Sequence, residues 1–247
     1  MSFELSTILI LLPIAFFGSL VYGVIGFGSA LVTLPLAAHF FPLPFVLAVF
    51  ALLDLINTIH VGMADPTAIV KQEVIRLFPA CIAGVTIGAL LTVSLPGQVL
   101  LFAFGIFIIV YALYGLISCR LPIIGLSWAY LAGFSGGMAS AMFGAGGPPY
   151  AIYLSMRPWK KQELRATLAT TSTISISSRL VAFGIAGLLS PKFVWITAAS
   201  VLPATVCGLY LAGRLERHVS REGLIMAIKV LLLISGLSLT LRAVGNL

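Results

Sequence analysis

The sequence predicts an all-α, polytopic membrane protein with about eight apolar segments in two repeats. The 247 residues are 60% hydrophobic and 9% charged, with a mean hydropathy of +1.15, whereas about a quarter of the residues in a soluble domain are charged. Glu4 and Asp54 bracket 49 uncharged residues, and Arg76 and Arg120 bracket 43 more. Each run is long enough for about two crossings of roughly 20 residues each. Segments of alternating polarity, which are typical of membrane β-barrels, are not present.

Polar residues and glycine or proline interruptions divide the chain into eight apolar segments. They cover residues 5–41, 43–62, 76–94, 98–118, 122–156, 165–189, 193–213 and 223–244. The first and fifth are too long for one crossing, because a helix of about 35 residues would extend about 52 Å across an apolar layer of about 30 Å. Glycine-rich stretches at residues 23–29 and 144–149 are therefore expected to break these two segments into short or re-entrant pieces.

Charge, cysteine content and the N-terminus exclude other classes. A net charge of +7 reflects the cations that collect in cytoplasmic loops of membrane proteins, so we expect no nucleic-acid partner. Cys81, Cys119 and Cys207 lack the spacing of metal ligands, and neither a metal nor another cofactor is predicted. Met1–Ser6 contains no cation, which is unlike a signal peptide.

Two landmarks recur in the second half of the chain. Gly26-Phe27-Gly28 is followed 118 residues later by Gly144-Ala145-Gly146, and Pro79-x4-Gly84 is followed 124 residues later by Pro203-x4-Gly208. Both pairs occur in the same order within matching apolar segments, which indicates a duplication. We therefore predict one transmembrane domain over residues 1–247, with repeat one at about 1–120 and repeat two at about 121–247.

The basic residues of the loops predict that the two halves face opposite sides of the membrane. In the first half the basic residues follow the second segment, and they are Lys71 and Arg76. In the second half they follow the first segment, at Arg157, Lys160, Lys161 and Arg165, and the third segment, at Arg214, Arg217 and Arg221. Under the positive-inside rule this pattern predicts an inverted repeat. If the two long segments each enter the bilayer twice, ten basic residues lie inside, which are these nine and Arg120, and only Lys192 and Arg242 lie outside. A plain eight-span count would split these cations seven to five, and the number of full crossings stays open.

The strongest local motif is Gly133-Phe134-Ser135-Gly136-Gly137, followed by residues 144–149. Gly133 and Gly137 have the spacing of closely packed helices, which is one interpretation of the first part. Residues 144–149 hold three glycines and two prolines and should not sustain a helix. Unwound backbone survives at membrane depth only when it is buried or lines a cavity, and the next helix N-terminus attracts anions. The predicted substrate site therefore includes Gly26, Gly28, Ser29, Gly144, Gly146, Gly147 and Pro148.

These two breaks, each leading to a proline, resemble the repeated signature of the TauE/SafE family of sulfite exporters and sulfonate permeases. The likeness rests on Gly26–Ser29 with Pro35 and on Gly144–Pro148, and it extends over nearly the whole chain. The first motif departs from the family pattern at Ser29, where the pattern usually continues in glycine. The resemblance implies a permease or exporter, in a bacterial inner membrane, for small sulfur-containing anions such as sulfite. Other small organic anions, such as carboxylates, are the alternative.

Polar residues inside the spans supply further site candidates, because ionisable groups in a bilayer are costly. Arg179 lies near the middle of the sixth segment, and Thr171, Ser172 and Ser175 share its helix face. A guanidinium with hydroxyl groups can replace the hydration of an oxyanion. The alternative is a structural pair with a carboxylate or a helix end.

Asp54, Asn57 and His60 form a polar stripe along the second segment. Asp54 can pair with Arg179, or it can accept a proton and couple transport to the proton gradient, with Asn57 as its neighbour. His60 lies near the segment end and is interpreted as interfacial. Lys229 is interpreted as structural, because a lysine near a helix end can extend its ammonium group to the interface.

An enzyme is the rival class. Gly133-Phe134-Ser135-Gly136 has the GxSG form of rhomboid-type intramembrane serine proteases, but that chemistry needs a histidine base within a later span. The one histidine after Ser135 is His218, in a charged loop. We therefore expect a secondary transporter that alternates access by relative motion of its two repeats. Its partners are a small anion, the lipid bilayer and, as a coupling ion, the proton; the glycine-rich faces would also allow a homodimer.

Overall fold

The computed structural model describes residues 2–26, 28–62, 66–116, 125–215 and 221–245, and these residues form helices joined by short connections. The helices of the first half are α1 (Ser2–Ile25), α2 (Ser29–Ala37), α3 (Leu43–Gly62), α4 (Lys71–Ser94) and α5 (Gly97–Leu116). Those of the second half are α6 (Trp128–Phe143), α7 (Gly147–Ser155), α8 (Lys161–Ile185), α9 (Lys192–Leu215) and α10 (Arg221–Gly245). The prediction of an all-helical membrane protein is confirmed.

The same order of helix lengths occurs twice. In each half a long helix is followed by a helix of 9 residues and then by three long helices. α2 and α7 begin 118 residues apart, as do α3 and α8, which is the spacing of the two glycine-rich motifs in the sequence.

Both long apolar segments are broken at their glycine-rich stretches. α1 ends at Ile25 and α2 begins at Ser29, while α6 ends at Phe143 and α7 begins at Gly147. Gly26, Gly28 and Gly144 have φ angles of 93°, 91° and 64°. Residues with a β-carbon rarely adopt this left-handed conformation, so glycine is required where each helix stops.

Each break reverses the chain. Gly18 of α1 packs against the Thr33 side chain of α2, and Gly136 of α6 packs against the Tyr150 ring of α7. The members of each pair lie at similar distances before and after the break. α2 and α7 therefore fold back along the helices that precede them, which is the re-entrant arrangement expected from the lengths of these segments.

One expectation for the second break is wrong. Gly147, Pro148 and Pro149 are the first residues of α7, so the unwound part covers only residues 144–146. Proline fits the first turn of a helix, because N–H groups there have no intrahelical acceptor and the fixed φ of proline is already helical.

Equivalent helices of the two halves run in opposite directions where they meet. Gly105 of α5 packs against Gly236 and Thr240 of α10, whereas Gly115, later in α5, packs against Lys229, earlier in α10. α5 and α10 are therefore antiparallel, which is the relation that an inverted repeat requires. The sides of the membrane on which the ends lie stay a prediction.

Glycines allow α4 to pack closely on α6, and α9 on α1. A β-carbon at Gly84 would overlap the Phe134 carbonyl oxygen, and one at Gly208 would overlap the Phe16 carbonyl oxygen. Phe16 and Phe134 are themselves 118 residues apart. The second landmark of the duplication thus marks equivalent helix contacts between the halves.

Gly133 and Gly137 also belong to a helix contact within the chain. A β-carbon at Gly133 would lie 2.6 Å from the Leu77 carbonyl oxygen, and one at Gly137 would overlap that of Cys81. The packing interpretation of these two glycines is therefore correct. They contact α4 of the same chain and so give no support to the predicted homodimer.

Two of the predicted basic clusters lie at one end of the helix bundle. Glu73 at the start of α4 is fully buried and pairs with Arg76 at 3.1 Å and with Arg157 at 3.3 Å. It also accepts a hydrogen bond from the Tyr153 hydroxyl of α7 at 2.7 Å. Arg120 and Arg217 lie outside the described residues.

Arg242 near the end of α10 has a different neighbour. It donates to the carbonyl oxygen of His39 at 2.7 Å, just after α2. Thus α7 is tied to α4 of the other half, and α2 is tied to α10 of the other half.

Within the described residues, six helices are long and apolar enough to cross a membrane. They are Leu5–Ile25, Leu43–His60, Lys71–Ser94, Gly97–Gly115, Lys192–Leu215 and Met226–Gly245. α6 falls outside this set with 16 residues, and α8 carries the polar stripe that ends at Arg179. α6 and α8 both carry residues at or next to the predicted substrate site.

Close helix packing predicts opposite effects for two alanine substitutions in α9. We expect Gly208→Ala to destabilise the protein by about 1 to 3 kcal/mol, because its β-carbon meets the backbone of α1. Gly213→Ala should be neutral or slightly stabilising, since nothing lies within 4 Å of its β-carbon position and alanine favours helix. Thermal unfolding in detergent measures both, and equal melting temperatures for the two variants would contradict the packing.

The topology prediction concerns single cysteines placed in a background that lacks the three native ones. Cysteines at Lys71 and Lys160, both exposed, should react with a membrane-impermeant maleimide from the same side of the membrane. A cysteine at Lys192 should react from the other side. Labelling of Lys71→Cys and Lys160→Cys from opposite sides would refute the inverted arrangement.

Candidate functional site

A small cavity lies where the two helix breaks meet. Its volume is about 30 Å³, enough for roughly two or three water molecules. Residues of both halves line it, among them Tyr22, Gly28, Ser29, Asp54, Thr58, Ser140, Gly144, Gly146, Gly147, Pro148, Tyr150, Ser172 and Ser175. The fold therefore brings both glycine-rich motifs and the polar faces of α3 and α8 to one place.

Four of the residues predicted from sequence do not line this cavity. Gly26 lies beside Arg165, whose Nε would be 3.2 Å from a β-carbon at Gly26. Thr171 donates its hydroxyl to the Thr167 carbonyl oxygen, and Asn57 donates to the Ser19 hydroxyl at 3.2 Å. The fourth is Arg179.

Arg179 and Asp54 form an ion pair beside the cavity. The Arg179 Nη2 atom lies 3.6 Å from Asp54 Oδ2, and the two residues are 1% and 3% exposed. The Ser29 hydroxyl donates to Asp54 Oδ1 at 2.6 Å. Burial of either charge alone would be costly, and the pair reduces that cost. The interpretation of these two residues as a structural pair is therefore correct in geometry.

The guanidinium of Arg179 is incompletely satisfied. Its Nη1 donates to the Ser140 carbonyl oxygen at 2.8 Å. Its Nε and Nη2 have no hydrogen-bond acceptor among the described residues, although Nη2 faces Asp54 across the longer ion-pair distance. Arg179 thus contacts two cavity-lining residues, Ser140 and Asp54, and its Nε has no acceptor among the described residues.

The unwound backbone of the second break offers fewer N–H donors than the sequence suggested. Gly144 and Ala145 donate their N–H groups to the carbonyl oxygens of Ser140 and Ala139, at 3.0 and 3.2 Å. Pro148 and Pro149 have no N–H group. The expectation that the N–H groups after Gly144 are generally free is therefore wrong.

Gly146 and Gly147 are the remaining backbone donors at the start of α7. Neither donates its N–H to another backbone group in the part of the chain that the structure describes, and both line the cavity. A β-carbon at Gly146 would lie 2.7 Å from the Gly136 carbonyl oxygen. Gly146 is therefore required for close packing of the hairpin, although its φ is ordinary.

Two tyrosines of the cavity were missed by the sequence reasoning. Tyr150 is fully buried, and its hydroxyl donates to Ser175 Oγ at 3.1 Å and lies 3.1 Å from Cys81 Sγ. Tyr22 lies about one helical turn before the first break. Their positions next to the glycine motifs were the available signal, but aromatic residues are common throughout this apolar chain.

The remaining polar residues named from the sequence have ordinary structural roles. Ser135 is on α6, where its hydroxyl donates to the Leu131 carbonyl oxygen at 2.7 Å, and His218 lies outside the described residues. Lys229 donates to the Gly115 carbonyl oxygen near the end of α5, where a cation complements the helix dipole. His60 is exposed at the end of α3.

Comparison with known proteins identifies the family. A family model described as sulfite exporter TauE/SafE matches residues 11–239. The chain belongs to the TauE/SafE family. A relative from Comamonas testosteroni, described as probable inner membrane transporter protein TsaS, is 31% identical over an alignment of 176 residues, and the match covers 67% of this chain and 72% of the relative. No solved structure has significant similarity to the chain.

Membership in the TauE/SafE family confirms the resemblance seen in the two glycine-rich motifs. The protein is a multi-pass membrane transporter and not an enzyme, so the rhomboid-type alternative based on Ser135 is rejected. A transporter of this kind has a small-molecule substrate and a lipid bilayer around it.

The buried ion pair predicts a compensating double variant. Arg179→Gln leaves the Asp54 charge without its partner and should destabilise the protein by about 3 to 5 kcal/mol. The double variant Arg179→Gln with Asp54→Asn should recover part of this loss, because neither charge remains buried alone. Melting temperatures in detergent for the two single variants and the double variant measure the coupling, and strictly additive losses would show that the residues do not interact.

Proposed function

We propose that this TauE/SafE family member transports small sulfur-containing oxyanions, such as sulfite or an organosulfonate, across a bacterial inner membrane. The family description names sulfite export, and the Comamonas relative is described as a probable inner membrane transporter. The observation that carries the proposal is Arg179, a buried guanidinium with unused donors beside a cavity that both helix breaks line.

The donors around the cavity suit an oxyanion. The N–H groups of Gly146 and Gly147 stand at the N-terminus of α7, where the helix dipole also favours negative charge. The Ser172 hydroxyl faces the cavity from α8. An anion with several oxygens can accept from these groups at once, and Arg179 supplies the opposite charge from behind the cavity wall.

Charge balance gives Asp54 a role in coupling. With Asp54 ionised, the pair with Arg179 has no net charge, and an anion placed beside it meets a carboxylate. Protonation of Asp54 leaves the guanidinium charge available to the substrate. The Ser29 hydroxyl donates to the Asp54 carboxylate, the Thr58 hydroxyl donates to the Asp54 carbonyl oxygen, and Tyr22 lines the same cavity. Arg165 beside Gly26 is a second cation of this region, but Arg179 is the one that pairs with Asp54. We infer that the anion and a proton bind together.

The small size of the cavity supports alternating access. At about 30 Å³ it admits a few water molecules, so its walls must separate before a substrate binds. The walls belong to both halves, which contact each other through α4 and α6, through α1 and α9, and through the antiparallel pair of α5 and α10. Relative movement of the halves would open the cavity to one side and close it to the other.

Flux assays on reconstituted protein test the proposed substrate. Proteoliposomes should accumulate labelled sulfite or a small sulfonate such as methanesulfonate, and a carboxylate of similar size should compete weakly. Arg179→Lys keeps the charge but loses the planar donors, so we expect at least a tenfold lower flux. Lys192→Ala, a change at an exposed cation outside the site, is the matched control and should retain flux. Uptake of the carboxylate in preference to both sulfur anions would contradict the proposed substrate class.

Proton coupling predicts a pH dependence with a definite sign. Flux of methanesulfonate, which stays ionised over this range, should rise as the pH falls, because protonated Asp54 no longer competes with the anion for Arg179. Asp54→Asn should carry flux that varies less than about twofold between pH 5 and pH 8, since its side chain cannot titrate. Unchanged pH dependence in Asp54→Asn would exclude Asp54 as the coupling residue.

A further inference from the structure

Tyr22 carries a buried hydroxyl for which the fold provides no partner. The residue lies on α1, is 3% exposed and lines the cavity between the two breaks. Its hydroxyl has no hydrogen-bond partner among the described residues. A buried polar group without a partner lowers stability, so a folded protein that retains one usually has a use for it.

Tyr150, the other tyrosine that lines the cavity, has a hydroxyl with a structural role. The Tyr150 hydroxyl is bonded to Ser175 and Cys81 and holds α7 against α8 and α4. The Tyr22 hydroxyl makes no hydrogen bond that joins helices among the described residues, although both tyrosines line the same cavity. Unlike the Tyr150 hydroxyl, the Tyr22 hydroxyl is not engaged by a protein group among the described residues.

Two charged residues lie near Tyr22. Asp54 lines the same cavity, and Arg165 packs against Gly26, one helical turn after Tyr22. An anion beside Tyr22 would therefore have a cation from α8 in its neighbourhood, besides Arg179 on the same helix. Asp54 opposes the anion only while it is ionised.

We propose that the Tyr22 hydroxyl donates a hydrogen bond to an oxygen of the transported anion and so helps to select oxyanions. The inference rests on the proposed function of the cavity. Tyr22 belongs to the first half, whereas the N–H groups of Gly146 and Gly147 belong to the second. An anion that accepts from both has oxygens on two sides and joins the halves. A halide ion, which has no such oxygens, would be bound less well.

Tyr22→Phe tests the proposal, because it removes only the hydroxyl. In proteoliposomes we expect the KM for sulfite to rise at least tenfold while the maximal rate changes less than about twofold. Tyr130→Phe is the matched control, because the same change is made on a side chain that is 57% exposed on α6, and it should leave the KM unaltered. Chloride should compete with sulfite better in Tyr22→Phe than in the unaltered protein.

Thermal unfolding in detergent separates a binding role from a structural one. Without an anion, Tyr22→Phe should melt at the same temperature as the unaltered protein or slightly higher, since an unpaired buried hydroxyl is lost. The stabilisation produced by added sulfite should be smaller in this variant.

The outcomes of these two measurements are distinct. An unchanged KM in Tyr22→Phe, or a markedly lower melting temperature without anion, would overturn the role of Tyr22 while sulfite flux in the unaltered protein still supports the proposed function. Absence of sulfite and sulfonate flux in the unaltered protein would instead remove the proposed function. Increased sensitivity to chloride together with a raised KM would support Tyr22 as a selecting residue.

Discussion

The ion pair between Asp54 and Arg179 is the interaction on which the centre of this structure depends. Charges buried in an apolar protein within a bilayer require an opposite charge and hydrogen-bond donors or acceptors. Asp54 receives the Ser29 hydroxyl from α2, and Arg179 donates to the Ser140 carbonyl oxygen of α6. The pair thereby connects α3 and α8 with both helix hairpins. Movement of either half changes the surroundings of at least one of the two charges.

The hairpins satisfy a second constraint, which is that backbone polar groups cannot be left exposed to lipid. Positive φ at Gly26, Gly28 and Gly144 ends α1 and α6 abruptly, and the chain folds back so that both breaks are enclosed by protein. At its far end each short helix is tied to the opposite half, α7 through Glu73 and α2 through Arg242. A site at the breaks is therefore held by contacts that cross between the repeats.

These constraints also determine which polar groups around the cavity can meet a substrate. Most candidate donors around the cavity are already bonded to protein, and the groups that stay free are few. Among the described residues, the donors without a hydrogen-bond acceptor are the Gly146 and Gly147 N–H groups, the Tyr22 hydroxyl, the Arg179 Nε and the Arg179 Nη2, which lies 3.6 Å from Asp54. Their number matches a small oxyanion better than a large organic molecule, and the Asp54 carboxylate offsets the charge of Arg179 beside them. TauE/SafE family membership is consistent with this chemistry.

The sequence alone determined the membrane class, the two broken segments and the resemblance to the family, because these depend on composition, length and glycine positions. It also placed Asp54 and Arg179 within spans, where a charge is too costly to be accidental. Tertiary structure decided which polar groups remain free. Ser29 and Asn57 donate hydrogen bonds to side chains that are distant in the sequence, and Thr171 donates to the carbonyl oxygen one helical turn earlier. Tyr22 became a candidate only when the fold placed this residue at the cavity wall with a hydroxyl that has no partner among the described residues, because no sequence pattern reveals an absent hydrogen bond.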